Sequence, residues 1–244
     1  MARASFWQHC SQSNLVLTQE CNFKCSFCKL WQADPLSFPS LSLVDLIRSG
    51  RFFKHYPKTK MMNVVGGEAM CFRDITYVLT FLKAEGIWIR LWTNGVYNVN
   101  LAYELKKVVD EWVLYIPSSE STQYQDMVGT SSFSIFESCL EEWLVDQRLV
   151  TLNFPVKPDT IQCLPEVYEF AYYKRLPLII HYSKSDLFSA ESILYIQRFL
   201  SISNVTVFCV DLDPYACYAF PGLALVQPFQ MIRNRVSEWI SLYR

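Results

Sequence analysis

Residues 13–28 read SNLVLTQECNFKCSFC. A short run of strand character, SNLVLT, leads into cysteines 21, 25 and 28, with Asn22, Phe23 and Phe27 between them. Structural zinc takes four ligands, and iron–sulfur cubanes usually take four thiolates. Three close cysteines leave one valence unfilled. The gap is closed from elsewhere in the chain or kept open for chemistry. His9 and Cys10 are the nearest residues that could close it, but neither sits at tight finger spacing. No second C-x2-C pair appears for a zinc ribbon. From these letters alone, three readings stand: a zinc knot, a piece of core, or a cluster site with one ligand missing.

The rest of the chain continues the strand that precedes the cysteines. Apolar runs at 61–65, 87–92, 111–116, 149–156 and 177–182 predict five more strands, and 204–210 a further one. Helical periodicity covers 73–86, 100–110, 132–146, 164–175, 190–201 and 231–243. Asn100 is placed as an N-cap, and Pro165 falls in a first turn, where its missing N–H costs nothing. Strands and helices in alternation argue for parallel strands with helices outside. The strands are continuous apolar runs, as expected when both faces are covered. Six βα units fall short of eight, so the expected fold is an α/β open partial (β/α)6 barrel with a short C-terminal strand and helix. The expected organisation is one domain over 1–244, with a barrel core at about 13–200 and a C-terminal extension beyond it. Residues 29–40 read as a loop.

Composition narrows the function classes. Of 244 residues, 51% are hydrophobic and only 18% charged, which argues against disorder. A net charge of −1 offers no global basic surface to a large RNA. The first ten residues lack the apolar segment of a secretory signal, and the apolar runs are too short to span a bilayer. A soluble, cytoplasmic protein is expected, where clustered thiols read as metal ligands rather than disulfides.

Parallel α/β proteins collect their chemistry at the C-terminal ends of the strands. There the second strand meets VVGGEAM (64–70) and the third meets LWTNG (91–95). Gly66 and Gly67 let backbone approach a ligand, and Glu68 offers a carboxylate to a ligand ammonium. Taken singly, Gly66-Gly67 also reads as an ordinary strand–helix turn, and Thr93-Asn94-Gly95 as a turn. The chain has 7 glycines, against roughly 17 at average usage, and three of them lie in these two motifs.

The spacing C-x3-C-x2-C with an aromatic before the last cysteine, followed by Gly-Gly-Glu and then Thr-Asn-Gly, resembles the radical S-adenosylmethionine (SAM) superfamily. The likeness is to its branch of molybdenum-cofactor synthases and peptide-maturing enzymes. The resemblance implies that Cys21, Cys25 and Cys28 hold three irons of a [4Fe–4S] cluster, with SAM on the fourth. It implies reductive cleavage of SAM to a 5′-deoxyadenosyl radical, which abstracts hydrogen from a peptide or small-metabolite substrate. Gly66, Gly67 and Glu68 would hold the amino end of SAM. Ser118, or Ser119 beside it, would contact its carboxylate; Asn153 would lie near the ribose and Phe27 against adenine. Thr93 completes the expected cofactor set. Ala69 departs from the proline that often follows the glutamate. A flavodoxin- or ferredoxin-type protein would supply electrons, and no membrane partner is implied. Glycyl-radical activases, which this chain resembles in size, carry an Asp-x-Lys pattern on strand four that YIPSS lacks. The rival readings are a non-catalytic metal-binding protein that keeps the fold and a tRNA- or nucleotide-modifying enzyme.

Other residues are read more plainly. Cys10, Cys71, Cys139, Cys163, Cys209 and Cys217 are taken as structural thiols, with a second metal at Cys209 and Cys217 as a remote alternative. His55 is isolated. His181, on strand six, is a hydrogen-bonded rim residue or a substrate contact. Asp211 and Asp213 cap a turn or face a polar substrate.

Overall fold

The computed structural model describes residues 4–9, 12–17, 21–26, 28, 60–96, 99–146, 149–182, 192, 194–195 and 207–211. Eight strands form one sheet in sequence order: β1 Ala4–His9, β2 Gln12–Leu17, β3 Met61–Gly66, β4 Trp88–Thr93, β5 Glu111–Tyr115, β6 Leu149–Val156, β7 Leu178–Tyr182 and β8 Val207–Asp211. From β2 to β8 each strand runs parallel to the next. Among the described residues no pairing returns β8 to β1, so the sheet is an open partial barrel. The seventh parallel strand, anticipated at 204–210, is β8.

Among the described residues the helices are α1 Ile75–Ala84, α2 Val99–Leu105, α3 Ser121–Val128, α4 Phe133–Val145 and α5 Leu164–Lys174. Pro165 sits in the first turn of α5, as its missing N–H favours. Three expectations need correction. β1 was not anticipated; it pairs antiparallel to β2 and adds an edge strand before the parallel series. The helix expected at 100–110 stops at Leu105 and begins at Val99, so Asn100 lies inside its first turn rather than capping it. Tighter bonds from Lys107 N–H to Glu104 O and Val108 N–H to Leu105 O end it. α3 was not anticipated, and Gly129 closes it in the left-handed conformation at φ 77°. The loop expected at 29–40, His55, most of the helix at 190–201 and all of the helix at 231–243 lie outside the described residues.

The two faces of the sheet differ. On β5, Trp112 and Leu114 are fully buried, and Trp112 packs on Trp143 of α4 with centroids 4.3 Å apart. That is the helix-covered face. Glu111, Val113 and Tyr115 alternate with them and face the concave interior. Parallel register extends both faces. Asn63 and Arg90 lie level with Glu111, Trp92 with Val113, and Asn153 with Tyr115. Leu91, Leu152 and Phe154 join the helix-side core.

Candidate active site

The cysteine segment follows β2 at the rim where the parallel strands end. Cys21, Cys25 and Cys28 are half-buried. The segment is anchored at both sides of its turn. Lys24 N–H donates to Val128 O (3.2 Å) and Ser26 N–H to Met127 O (3.0 Å), which gives the last carbonyls of α3 their partners. Cys28 N–H donates to Cys25 O at 3.0 Å, a tight turn that holds the second and third cysteines together. Phe23 points into the core, edge-on to Tyr124 of α3 at 6.2 Å, and Tyr124 packs on Phe133 and Phe136 of α4.

Asn22, lying between the first two cysteines, ties them to the Thr93-Asn94-Gly95 turn. It donates to Val96 O at 2.7 Å and accepts from Asn94 Nδ2 at 2.7 Å. Glu68 joins that turn from the other side. Its buried carboxylate accepts from Thr93 Oγ1 (2.8 Å), Asn94 N–H (2.8 Å) and Met70 N–H (3.0 Å). Burial pushes its pKa up, against the pull of these three donors. The three motifs, far apart in sequence, are therefore one hydrogen-bonded assembly.

Gly66 ends β3 at φ 112°, a conformation that strains any side chain, and it is exposed at the rim. Gly95 has φ 77°, and a Cβ there would lie 3.2 Å from Phe136 and 3.3 Å from Leu114. Glycine is needed at Gly95 for both conformation and space.

The electrostatics describe a site built for a positive centre. Burial pushes the Cys21 thiol up to about 11, with further upward pressure from Glu68, Cys28 and Cys71 and relief from Phe23 N–H. Burial, then Cys28 and Cys21, push Cys25 up to about 12. Every side chain acting on Cys21 and Cys25 raises them, so ionising these two is favoured by a group that brings its own positive charge. A [4Fe–4S] core does so. Among the described residues, no three His, Cys, Asp or Glu side chains converge to hold a single ion. A cubane does not need that convergence, because its thiolates bind different irons. The donor set fits the cluster.

The other anticipated residues fall around the same rim. Ser118, fully buried after β5, accepts from Glu120 N–H at 3.0 Å and lies 3.3 Å from Gln123 Oε1, so its hydroxyl serves the start of α3. Ser119 is half-buried beside it. Asn153 is buried on the concave face of β6. Phe27, Cys10, Cys217, Asp213 and the side chain of His181 lie outside the described residues. The backbone at His181, Cys209 and Asp211 belongs to β7 and β8. Cys139 and Cys163 are buried, as a structural role requires, whereas Cys71 is half-exposed and close enough to raise Cys21. Sequence reasoning assigned no role to Asn22 or Asn94. It also missed Tyr115, a concave-face residue whose hydroxyl is pushed well above its usual value by burial and by Cys25 and Cys28. Asn22 was visible inside the quoted motif; Tyr115 carried no signal beyond strand position.

The model of the Radical SAM superfamily matches residues 15–171, well over half the chain. The chain belongs to the radical SAM superfamily. Members of this superfamily are enzymes that use SAM and a [4Fe–4S] cluster held by three cysteines. Over 160 residues the chain is 27% identical to a protein of Sulfurisphaera tokodaii that carries the name GTP 3′,8-cyclase, covering 64% of this chain and 50% of that one. Over 155 residues it is 26% identical to a Methanocaldococcus jannaschii protein named as a glycyl-radical enzyme activating enzyme, covering 63% and 58%. The chain spans about half the length of these relatives. Its fold resembles that of Streptococcus suis SuiB, with a TM-score of 0.59 at 14% identity, covering 83% of this chain and 52% of that one. SuiB has been solved with S-adenosylmethionine and with its precursor peptide SuiA. A radical SAM methyltransferase from Sphaerobacter thermophilus gives a TM-score of 0.63 at 12% identity, covering 90% and 72%.

Proposed function

We propose that this chain is a catalytically active radical SAM enzyme acting on a peptide or small metabolite. The observation that carries the reading is the chain of hydrogen bonds from Asn22 through Asn94 to Glu68 and Thr93. It binds the cysteine segment to both other motifs on one rim. When bound, the reduced cluster and SAM supply a one-electron cleavage to methionine and a 5′-deoxyadenosyl radical that takes hydrogen from the substrate.

The chain's own residues have narrower tasks. Cys21, Cys25 and Cys28 hold the iron, and Phe23 fixes their segment to the core. Gly66 and Gly67 keep backbone exposed for the amino end of SAM. Glu68 has three acceptor positions occupied, so it holds Thr93 and Asn94 in place, and the position left on its carboxylate serves the amino end of SAM. Asn153 lies level with Tyr115 on the concave face, where the ribose is expected. Ser118 or Ser119 takes the carboxylate, Ser119 having the more exposed position. Phe27 is assigned to adenine by its place in the motif. A flavodoxin- or ferredoxin-type donor delivers the electron, in a cytoplasmic setting; among the described residues no helix is long and apolar enough to cross a membrane. The GTP 3′,8-cyclase name of one relative favours a nucleotide as the second substrate class.

The test is anaerobic. The protein is reconstituted with iron and sulfide, reduced and given SAM, and 5′-deoxyadenosine is followed by mass spectrometry. We expect product from the wild type and none from Cys25→Ala. Tight zinc binding with no cluster formed would overturn the proposal.

A further inference from the structure

Two donors on the concave face of β4 lack acceptors. Arg90 Nη1 and Trp92 Nε1 are both buried without a hydrogen-bond partner among the described residues. They stand two residues apart on one strand, so they share a face at a spacing of about 7 Å. Arg90 lies roughly 10 Å below Thr93 at the rim, and Trp92 is almost level with it.

Arg90 meets Glu111 through Nε alone, at 2.7 Å, and the other Glu111 oxygen accepts from Thr151 Oγ1 at 3.3 Å. A guanidinium present only to neutralise Glu111 would be expected to offer its two-pronged fork. Here the carboxylate is satisfied by one prong and a threonine, and Nη1 is left buried without an acceptor among the described residues. Trp112 also has an indole N–H without an acceptor among the described residues. It lies in the helix-side layer against Trp143, where no solute enters. Trp92 is on the opposite side of the sheet from that layer.

We infer that Arg90 Nη1 and the Trp92 indole N–H form a subsite for an oxyanion of the substrate, a carboxylate or a phosphate. Glu111 and Thr151 hold the guanidinium in position without consuming the donors that face the ligand. A substrate anchored this way extends from the interior of the sheet towards the cysteine rim, its reacting carbon at the end remote from the anion. The inference rests on the proposed radical chemistry only for that last orientation.

The test uses the oxidised, reconstituted protein labelled with 15N at the tryptophan indoles. The Trp92 signal, assigned with Trp92→Phe, is followed while inorganic phosphate and, separately, acetate are added. We expect a saturable shift in the millimolar range with at least one ion, and the preferred ion distinguishes phosphate from carboxylate. Arg90→Lys keeps a cation beside Glu111 but loses the fork. It should keep the wild-type melting midpoint and bind the same ion at least tenfold more weakly. A Trp92 signal that ignores both ions, or one that responds equally in wild type and Arg90→Lys, overturns the subsite. 5′-Deoxyadenosine is measured on the same samples. Cleavage without anion binding removes the subsite and leaves the radical reading standing; anion binding without cleavage does the reverse.

Discussion

Glu68 illustrates how much one residue of a short motif carries. Its buried carboxylate accepts three hydrogen bonds and joins the ends of β3 and β4. Glu68→Ala leaves Thr93 and Asn94 donors without their acceptor and should cost about 3 kcal/mol. Urea denaturation of the cluster-free protein measures this, and Glu68→Gln should recover part of the loss. A neutral result for Glu68→Ala would mean that the cross-link is dispensable. The cysteines give a second residue-scale prediction. With Cys21 near 11 and Cys25 near 12, instead of the ordinary 9.0, alkylation by iodoacetamide in cluster-free protein should keep accelerating to those pH values. The fold favours the neutral thiols. Their contribution to stability is therefore complete below pH 9.0 and lost as pH rises through 11 to 12. Peptide mass spectrometry reads the rates; levelling near 9 would show unperturbed thiols. The motif letters announced Cys21, Cys25, Cys28 and Glu68 separately. That Asn22 and Asn94 connect them was not legible, because a side-chain bond between residues 72 positions apart leaves no local pattern.

At the scale of elements, glycine positions separate conformation from space. Gly129 ends α3 at φ 77°, and an added Cβ would meet Lys24 only at ordinary contact distance, 3.7 Å and beyond. Gly129→Ala should therefore cost about 1 kcal/mol, from conformation alone. Gly95 has the same φ but a Cβ there would press on Phe136 and Leu114. Gly95→Ala should cost about 2 kcal/mol or more, because overpacking adds to the strain. Equal melting points for the two variants would contradict this ordering. The parallel strands were legible because each is a continuous apolar run. α3 was not, because STQYQDMV has few apolar residues to show a period; it buries only Tyr124 and Val128. Its position is set by the cysteine segment bonded to its last carbonyls and by Tyr124 against Phe23.

For the molecule as a whole, the rim assembly predicts linkage between cofactor binding and stability. A ligand held by the native state alone stabilises by about 2.7 kcal/mol at a hundredfold excess over its Kd. For a domain of this size that is a rise of about 5–10 °C in Tm. Under anaerobic conditions SAM should produce that shift in the reconstituted protein and none in Cys25→Ser. A fully iron-loaded sample with no shift would argue that SAM does not bind. The chain spans about half of its named relatives, so substrate selection is tested on this chain itself.

The sequence by itself determined the parallel α/β fold and the order of the three motifs. Apolar runs and turn residues are local and periodic, and local order is written in adjacent letters. The three motifs in order also carried the resemblance to the radical SAM superfamily, to which the chain belongs. Only the tertiary structure decided which side chains meet: Asn22 with Asn94, Glu68 with Thr93, and Phe23 with Tyr124. It alone put Arg90 and Trp92 on the concave face with donors unspent. The side of a strand that faces the helices depends on strand register and helix packing. Those are long-range contacts, invisible in any short stretch of the chain.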